Sequence, residues 1–357
     1  MGILQGLRKL TPAQNKIFIE EFISVIIPFR NESENILASL RSLENQLYPK
    51  EKYEVIYVND SSDDDSPQKI LKAEKSSNVK IISVPSDYSK NAHKKRAIRF
   101  GIANSNGKII LTTDADCVHN KDWLKQMISC FDDETGFVSG PVKFIEENTL
   151  FEKLQKLEFS GLVLTGAGLI GINKPAICNA ANIAYRREAY ESVHGFEDHL
   201  NLSSGDDELL MQKIWSDKKY KVKFCWHNDA VVETKGNESL EKFYHQRKRW
   251  ASKGLFYSDK LLIFKLLLIF LFYLGMMTQI LLALFYSSLF LLSFFISLII
   301  KSSIESFIIK RGVGFIISKK ILRYIPIAEI FQIPYIIIAG ISGALGNYTW
   351  KERKVKR

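Results

Sequence analysis

Cysteine is scarce in this chain of 357 residues: Cys117, Cys130, Cys178 and Cys225 stand far apart, with no C-x-x-C and no paired spacing. That excludes a disulfide framework and a zinc knuckle, and it fits a reducing compartment. The six histidines (His93, His119, His194, His199, His227, His245) show no ligand spacing, so no histidine metal site is expected. Repeats and low-complexity linkers are missing. Residues 1–10 lack a continuous apolar run of the signal-peptide kind, and Gly6 stands where a myristoylation signal wants Ser or Thr, so neither a cleaved leader nor that lipid is expected. The most telling absence is of charge: residues 266–300 contain no Asp, Glu, Lys or Arg. At about 1.5 Å per residue, that stretch exceeds one hydrocarbon core of ~30 Å, which points to two crossings.

Acidic residues are also few downstream. After residue 260, 12 Lys and Arg face only Glu305, Glu329 and Glu352, a net +9, whereas residues 1–260 carry +1. Basic side chains beside apolar spans favour the cytoplasmic side and anionic membrane lipids, so the excess implies no nucleic-acid partner. The expected organisation is an N-terminal interfacial helix over 1–21, whose apolar face is Ile3, Leu4, Leu7 and Leu10, and a catalytic domain over 22–255. A transmembrane hairpin over 261–300 follows, turning near Tyr286-Ser287-Ser288, then a basic interfacial segment over 301–324, a third membrane segment over 325–345 and a basic tail over 346–357. Pro326, Glu329, Gln332 and Pro334 interrupt the third segment. They favour a re-entrant or interfacial path that keeps the tail in the cytoplasm, with a full crossing as the alternative.

Upstream, apolar strand-like runs alternate with helical spacing: strands at 22–28, 53–58, 79–84 and 108–113, helices at 31–47, 66–73 and 92–103. A βαβα series of this kind predicts an α/β fold with a mostly parallel sheet and helices on both faces. Residues 150–250 are more irregular, with helices at 150–161 and 207–216 and a glycine-rich stretch at 166–171.

Polar signatures follow the strands in order. Asp114-Ala115-Asp116 comes after the fourth, and in extended chain positions i and i+2 face the same way, so the pair is suited to a hard divalent ion, Mg²⁺ or Mn²⁺, shared with a diphosphate. Asp60 follows the second strand, where a carboxylate accepts from a uracil-type N–H or, with Ser61, Ser62 and Asp63 to Asp65, caps the next helix. Lys94, Lys95, Arg96 and Arg99 put one or two cations within reach of a diphosphate, the others forming a solvated helix face. Gly205-Asp206-Asp207-Glu208 opens a helix, where acids either cap or serve as general base to a sugar hydroxyl. Gln246-x-x-Arg249-Trp250 shares one helix face just before the oily run, as a headgroup anchor or as a floor for an acceptor with an arginine for the diphosphate.

Together with Ser24-Val25-Ile26-Ile27-Pro28, Arg30-Asn31-Glu32 and Asn179-Ala180-Ala181-Asn182, these motifs resemble, in order, the family 2 glycosyltransferases. These are inverting enzymes of GT-A fold that include cellulose, chitin and hyaluronan synthases and ceramide glucosyltransferases. The resemblance covers residues 22–253. It implies donor contacts from Pro28, Asn31, Glu32, Asp60, Lys94 and Asp114, metal on Asp116 with Asp114, catalysis by Asp207 with Asp206 beside it, and acceptor or diphosphate contacts from Asn182, Gln246, Arg249 and Trp250. Asn59 and Asp206 depart from the commoner Asp and Glu of the family. The expected reaction moves a sugar from a UDP-sugar to a lipid, lipid-linked or polysaccharide acceptor at the cytoplasmic membrane face. A processive polysaccharide synthase subunit, a metal-dependent phosphoryl transferase and a non-catalytic nucleotide-sugar scaffold are the alternatives, and the oligomeric state is left open.

Overall fold

Every residue of Ile23–Phe29 is buried, which a strand achieves only in the middle of a sheet covered on both faces. This strand, β1, leads the alternation in the computed structural model, which describes residues 2–11, 21–88, 93–145, 148–199, 205–257, 259–345, 348–350 and 353–355. A short helix α1 (Gly2–Lys9) precedes it, and α2 (Ile36–Glu44), β2 (Tyr53–Asn59), α3 (Ser66–Lys72), β3 (Val79–Ser83), α4 (His93–Ala103) and β4 (Ile109–Thr112) follow. Then come β5 (Val118–His119), α5 (Trp123–Ile128), β6 (Thr135–Ser139), β7 (Val142–Phe144), α6 (Leu150–Gly171), β8 (Ile183–Arg186), α7 (Arg187–Ser192), α8 (Glu208–Ser216), β9 (Lys221–Phe224) and β10 (Val232–Thr234).

The main sheet has the order β3-β2-β1-β4-β8-β6-β9, and only β8 runs antiparallel to its neighbours. The chain adds β2 and β3 on one side of β1, then returns to place β4 on the other. That reversal is a topological switch point, where the loops after parallel strands diverge and leave a ligand crevice. Pairing of β1 with β4 ends at Ile26↔Thr112, so Pro28, which has no N–H, sits where only β2 still runs alongside. A second sheet, β5-β10-β7, lies in the same compact unit, residues 1–145 with 162–235.

Two expectations for this unit are corrected. Helix α6 does not stop at Gly161 but continues to Gly171 through the glycine-rich stretch. A Cβ on Gly168 would stand 2.6 Å from the Ile3 carbonyl oxygen, so the glycine is there to let α1 come close. Leu7 of α1 is fully buried, so part of the face expected to meet a membrane is spent inside the protein. Residues 12–20 of that expected interfacial helix lie outside the described residues.

The second unit, residues 146–161 with 236–357, holds the first half of α6, α9 (Leu240–Lys253), α10 (Lys260–Phe285), α11 (Leu289–Lys310) and α12 (Ile325–Leu345). Residues 236–253, expected to close the catalytic domain, therefore cluster with the apolar helices. Among the described residues three stretches, Lys260–Phe285, Leu289–Lys310 and Lys319–Leu345, are long and apolar enough to cross a membrane. The chain breaks at Tyr286 to Ser288 between the first two. Helix α11 then runs through Lys301 to Lys310, further than a surface segment beginning at 301 would allow. Lys301 is buried because Glu329 and Gln332 of α12 and Glu305 meet its ammonium.

Helix α12 is continuous through Pro334, so it does not fold back as a re-entrant segment. It meets α11 at Lys301, near the end at Lys310, and α10 at Phe270, near the start at Lys260, where the ring closes on Gly340. Between these two points Ile333 and Ile337 of α12 pack with Tyr273 and Met276 of α10 and Phe294 of α11, so α12 is in contact with both arms of the hairpin. Residues 346–347, 351–352 and 356–357 of the basic tail lie outside the described residues.

Candidate active site

The loops leaving β1 and β2 are tied into one edge. Asn31 and Ser61 take positive φ, 52° and 58°, which turns backbone amides toward the facing loop. Asn31 N donates to Ser62 Oγ at 3.2 Å, Asp63 N to Asn31 Oδ1 at 2.9 Å, and Glu32 N to Ser66 Oγ at 2.8 Å. Arg30 reaches across to the carbonyl oxygens of Asp60 and Ser61 and to Asp63 Oδ2. Asp60 is 2% exposed, and its carboxylate accepts from Arg96 of α4. The local capping falls to Asp64, which accepts from Ser66 N at 3.0 Å.

Helix α4 is not the partly solvated basic face expected. Lys95 is fully buried and Arg96 nearly so, while Lys94 Nζ stands 2.6 Å from Asp114 and 3.2 Å from Asp206. Burial works to lower the Lys94 pKa, but the two carboxylates outweigh it and hold the ammonium above its usual range. One helix thus gathers three separate motifs: Arg96 takes Asp60, and Lys94 takes Asp114 and Asp206.

Asp114 and Asp116 are partly exposed, and Ala115 and Cys117 between and after them are buried, so both carboxylates do face away from the core. The cause differs from the extended chain expected, because Cys117 N donates to Asp114 O at 3.2 Å and closes a turn. Burial, then Asp116 and Asp114, keep the Cys117 thiol protonated. Among the described residues no three of His, Cys, Asp and Glu cluster closely enough to hold an ion. Two hard carboxylates on one turn suit Mg²⁺ or Mn²⁺ when phosphate oxygens complete the shell.

Asp206 and Asp207 follow Gly205, whose φ of +84° favours glycine. Burial pushes the Asp206 carboxyl up, and Lys94 and Lys95 outweigh it, so the net shift is downward. Its Oδ2 atom accepts no hydrogen bond among the described residues despite the ammonium 3.2 Å away. Asp207 caps α8, taking Glu208 N at 2.7 Å on one oxygen and Ala180 N at 3.0 Å on the other. Asn182 departs from its expected ligand role: it is fully buried, donating to Pro141 O and Ala230 O and accepting from Trp123 Nε1. His119, buried between Thr113 and Ser42 beside Trp123, is pushed down to about 3 by burial and stays neutral.

Gln246, Arg249 and Trp250 lie on α9 in the second unit, all partly exposed. Gln246 Oε1 accepts from Asn237 Nδ2 at 2.9 Å and from the neighbouring Arg247. Arg247 and Glu158 have no assigned role in the sequence motifs, because each works through a partner far away in sequence, and Arg96, expected on a diphosphate or in solvent, holds Asp60 instead.

A sheet with a topological switch point, with paired carboxylates and a lysine between two of them, is an α/β arrangement of the kind in which ligands are held at the strand ends. Residues 24–193 match the family model Glycosyl transferase family 2, and residues 109–309 match Glycosyl transferase family group 2. The chain belongs to this glycosyltransferase family. It is 31% identical over 208 residues to the glycosyltransferase AglE of Haloferax volcanii, covering 57% of this chain and 64% of that protein. It is 26% identical over 246 residues to the poly-beta-1,6-N-acetyl-D-glucosamine synthase of Staphylococcus epidermidis, covering 66% and 55%. The matches thus span less than two thirds of these relatives' lengths. In fold it is similar to a mannosyltransferase from Pyrobaculum calidifontis solved with GDP-Man and Mn2+, with a TM-score of 0.58, 18% identity and coverage of 96% of this chain and 93% of that one. This supports the GT-A fold expected.

Proposed function

We propose that the chain moves a sugar from a UDP-sugar to a hydroxyl of a lipid, lipid-linked or glycan acceptor at the cytoplasmic membrane face, with inversion at the anomeric carbon. The observation that carries this is Lys94, whose ammonium joins Asp114 of the D-x-D turn to Asp206 of the Asp-Asp pair. A cation between carboxylates at a switch point is poised to meet a diphosphate when the donor enters. Asn31, Glu32 and Asp60 on the tied loops and Pro28 near the end of β1 are assigned to the nucleoside, and Arg96 fixes the Asp60 carboxylate.

Asp114 and Asp116 would hold Mg²⁺ or Mn²⁺, which supplies charge neutralisation for the departing UDP. Asp207 is the general base. A carboxylate offers about four lone-pair sites, so taking backbone amides at the start of α8 does not bar proton acceptance. Asp206, tied to Lys94, balances charge instead. Gln246, Arg249 and Trp250 are assigned to the acceptor and the diphosphate.

The likeness to a polysaccharide synthase favours a second reading, repeated addition to one chain. One experiment tests both: purified protein in lipid nanodiscs, a panel of UDP-sugars with Mg²⁺ or Mn²⁺, UDP release as the rate and product size and anomeric configuration by mass spectrometry and NMR. A single β-linked addition is expected. A polymer selects the second reading, an α-linkage overturns inversion, and absence of UDP release with every donor overturns the proposed donor class.

A further inference from the structure

We infer that Glu158, Arg247 and Tyr335 are positioning residues that set Gln246 and Trp250 in place. The inference rests on the acceptor role proposed for those two residues. All five lie in the second unit. Arg247 is 5% exposed and grips Glu158 with two prongs, Nε to Oε1 at 3.1 Å and Nη2 to Oε2. The Tyr335 hydroxyl, from α12, donates to the same Oε1 at 3.0 Å. A carboxylate held on both sides in this way fixes the plane of the guanidinium.

That plane has two consequences. Its centre lies 4.3 Å from the ring centroids of both Phe243 and Trp250, so the cation orients the Trp250 indole from one side. Arg247 Nη1 also donates to Gln246 Oε1, which already accepts from Asn237. With its oxygen engaged twice, Gln246 is oriented so that its NH₂ end is the group offered to a ligand oxygen, a sugar hydroxyl or a phosphate. An ion pair serving stability alone would have no need of this coupling, since apolar residues of like volume do as well.

The test uses full-length protein in nanodiscs, with UDP-glucose or UDP-N-acetylglucosamine, whichever turns over, as donor and octyl glucoside as the acceptor probe. Arg247→Lys keeps the charge and loses the fork; Tyr335→Phe removes one hydrogen bond. Emission of Trp250 is isolated by subtracting the spectrum of the matching Trp250→Phe protein. Arg247→Lys is expected to shift that emission and to reduce kcat/KM for the acceptor about tenfold while the donor KM stays within about twofold. Tyr335→Phe should move both readouts the same way by less, and it decides the matter should Arg247→Lys fail to fold. Wild-type emission and acceptor kinetics in both folded variants would overturn the inference, as would equal damage to donor and acceptor KM. Should Gln246→Ala and Trp250→Phe retain full transfer, the proposed acceptor role fails, and the emission shift alone then reports whether the relay exists.

Discussion

Replacing Lys94 by methionine isolates the charge balance of the site. The ammonium serves Asp114 at 2.6 Å and Asp206 at 3.2 Å, and the Asp206 side chain is only 8% exposed. Asp114, about a third exposed, is screened by water and contributes little. Stranding a buried carboxylate costs ~3–5 kcal/mol, which in a unit of this size lowers Tm by roughly 10 °C. The sign of the pH dependence distinguishes this cause from a simple packing defect. In the native protein the folded pKa of Asp206 is depressed, so its contribution is present above the unfolded pKa of about 3.9 and lost as pH falls through the folded value. In Lys94→Met only Lys95 is left to offset burial, so the folded pKa of Asp206 rises from its depressed native value and the charged form loses stabilisation. The deficit should therefore shrink on acidification by up to ~1.4 kcal/mol per pH unit. Thermal unfolding followed by circular dichroism from pH 5 to pH 8 measures it, and Lys94→Met with Asp206→Asn should recover part of the loss, since the buried carboxylate is gone while Lys95 stays buried. A deficit below ~1 kcal/mol at pH 7, or one that is the same at pH 5, refutes the reasoning.

Asp116→Ala should abolish UDP release, and EDTA should do the same to the native protein, with Mn²⁺ or Mg²⁺ restoring only the latter; full turnover after exhaustive chelation excludes the metal role. Asp207→Asn should bind donor normally by calorimetry while turning over roughly 10²-fold more slowly, and a near-normal kcat would leave Asp207 as the α8 cap alone. Buried neutral His119 has a folded pKa of about 3, below its unfolded value, so its contribution is complete above about pH 6.5 and is lost as the pH falls toward 3. His119→Asn should accordingly flatten the acid limb of Tm against pH, and an unchanged limb assigns acid lability elsewhere. With the catalytic domain, the basic segment after α11 and the basic tail all on the cytoplasmic side, single cysteines at Ser252, Ser318 and Lys356 in a cysteine-free background should all be shielded from an impermeant thiol reagent in intact cells, and one at Ser287 labelled. Labelling at Lys356 would show that α12 crosses the membrane.

Local pattern was enough for β1, β2, β3 and β4, because a buried parallel strand must be an unbroken apolar run and the turns between such runs carry Gly, Pro, Asn or Asp. The positions of Asp114, Asp116 and Asp206 follow from the same logic, since each stands where an apolar run gives way to a turn or a helix start. Pairing across the chain was not legible in this way. Lys94, Lys95 and Arg96 form one basic run in the sequence, and nothing in it says that Lys95 is fully buried or that its two neighbours serve different acids. A charge run reads as solvated until the acids that neutralise it are known, and Asp60, Asp114 and Asp206 come from three other segments. Asn182 shows the converse: its motif context implies a ligand, while its amide is consumed by Pro141, Ala230 and Trp123, whose backbone and indole groups no motif records. Glycine 168 misled for a related reason, because in isolation it weakens a helix, and only the approach of Ile3 makes it the residue that the helix requires. Sequence spacing therefore locates the groups that do chemistry, and the fold decides which of them are left to do it, a division that makes Lys94, with both its acids known, the residue on which the charge of the whole site turns.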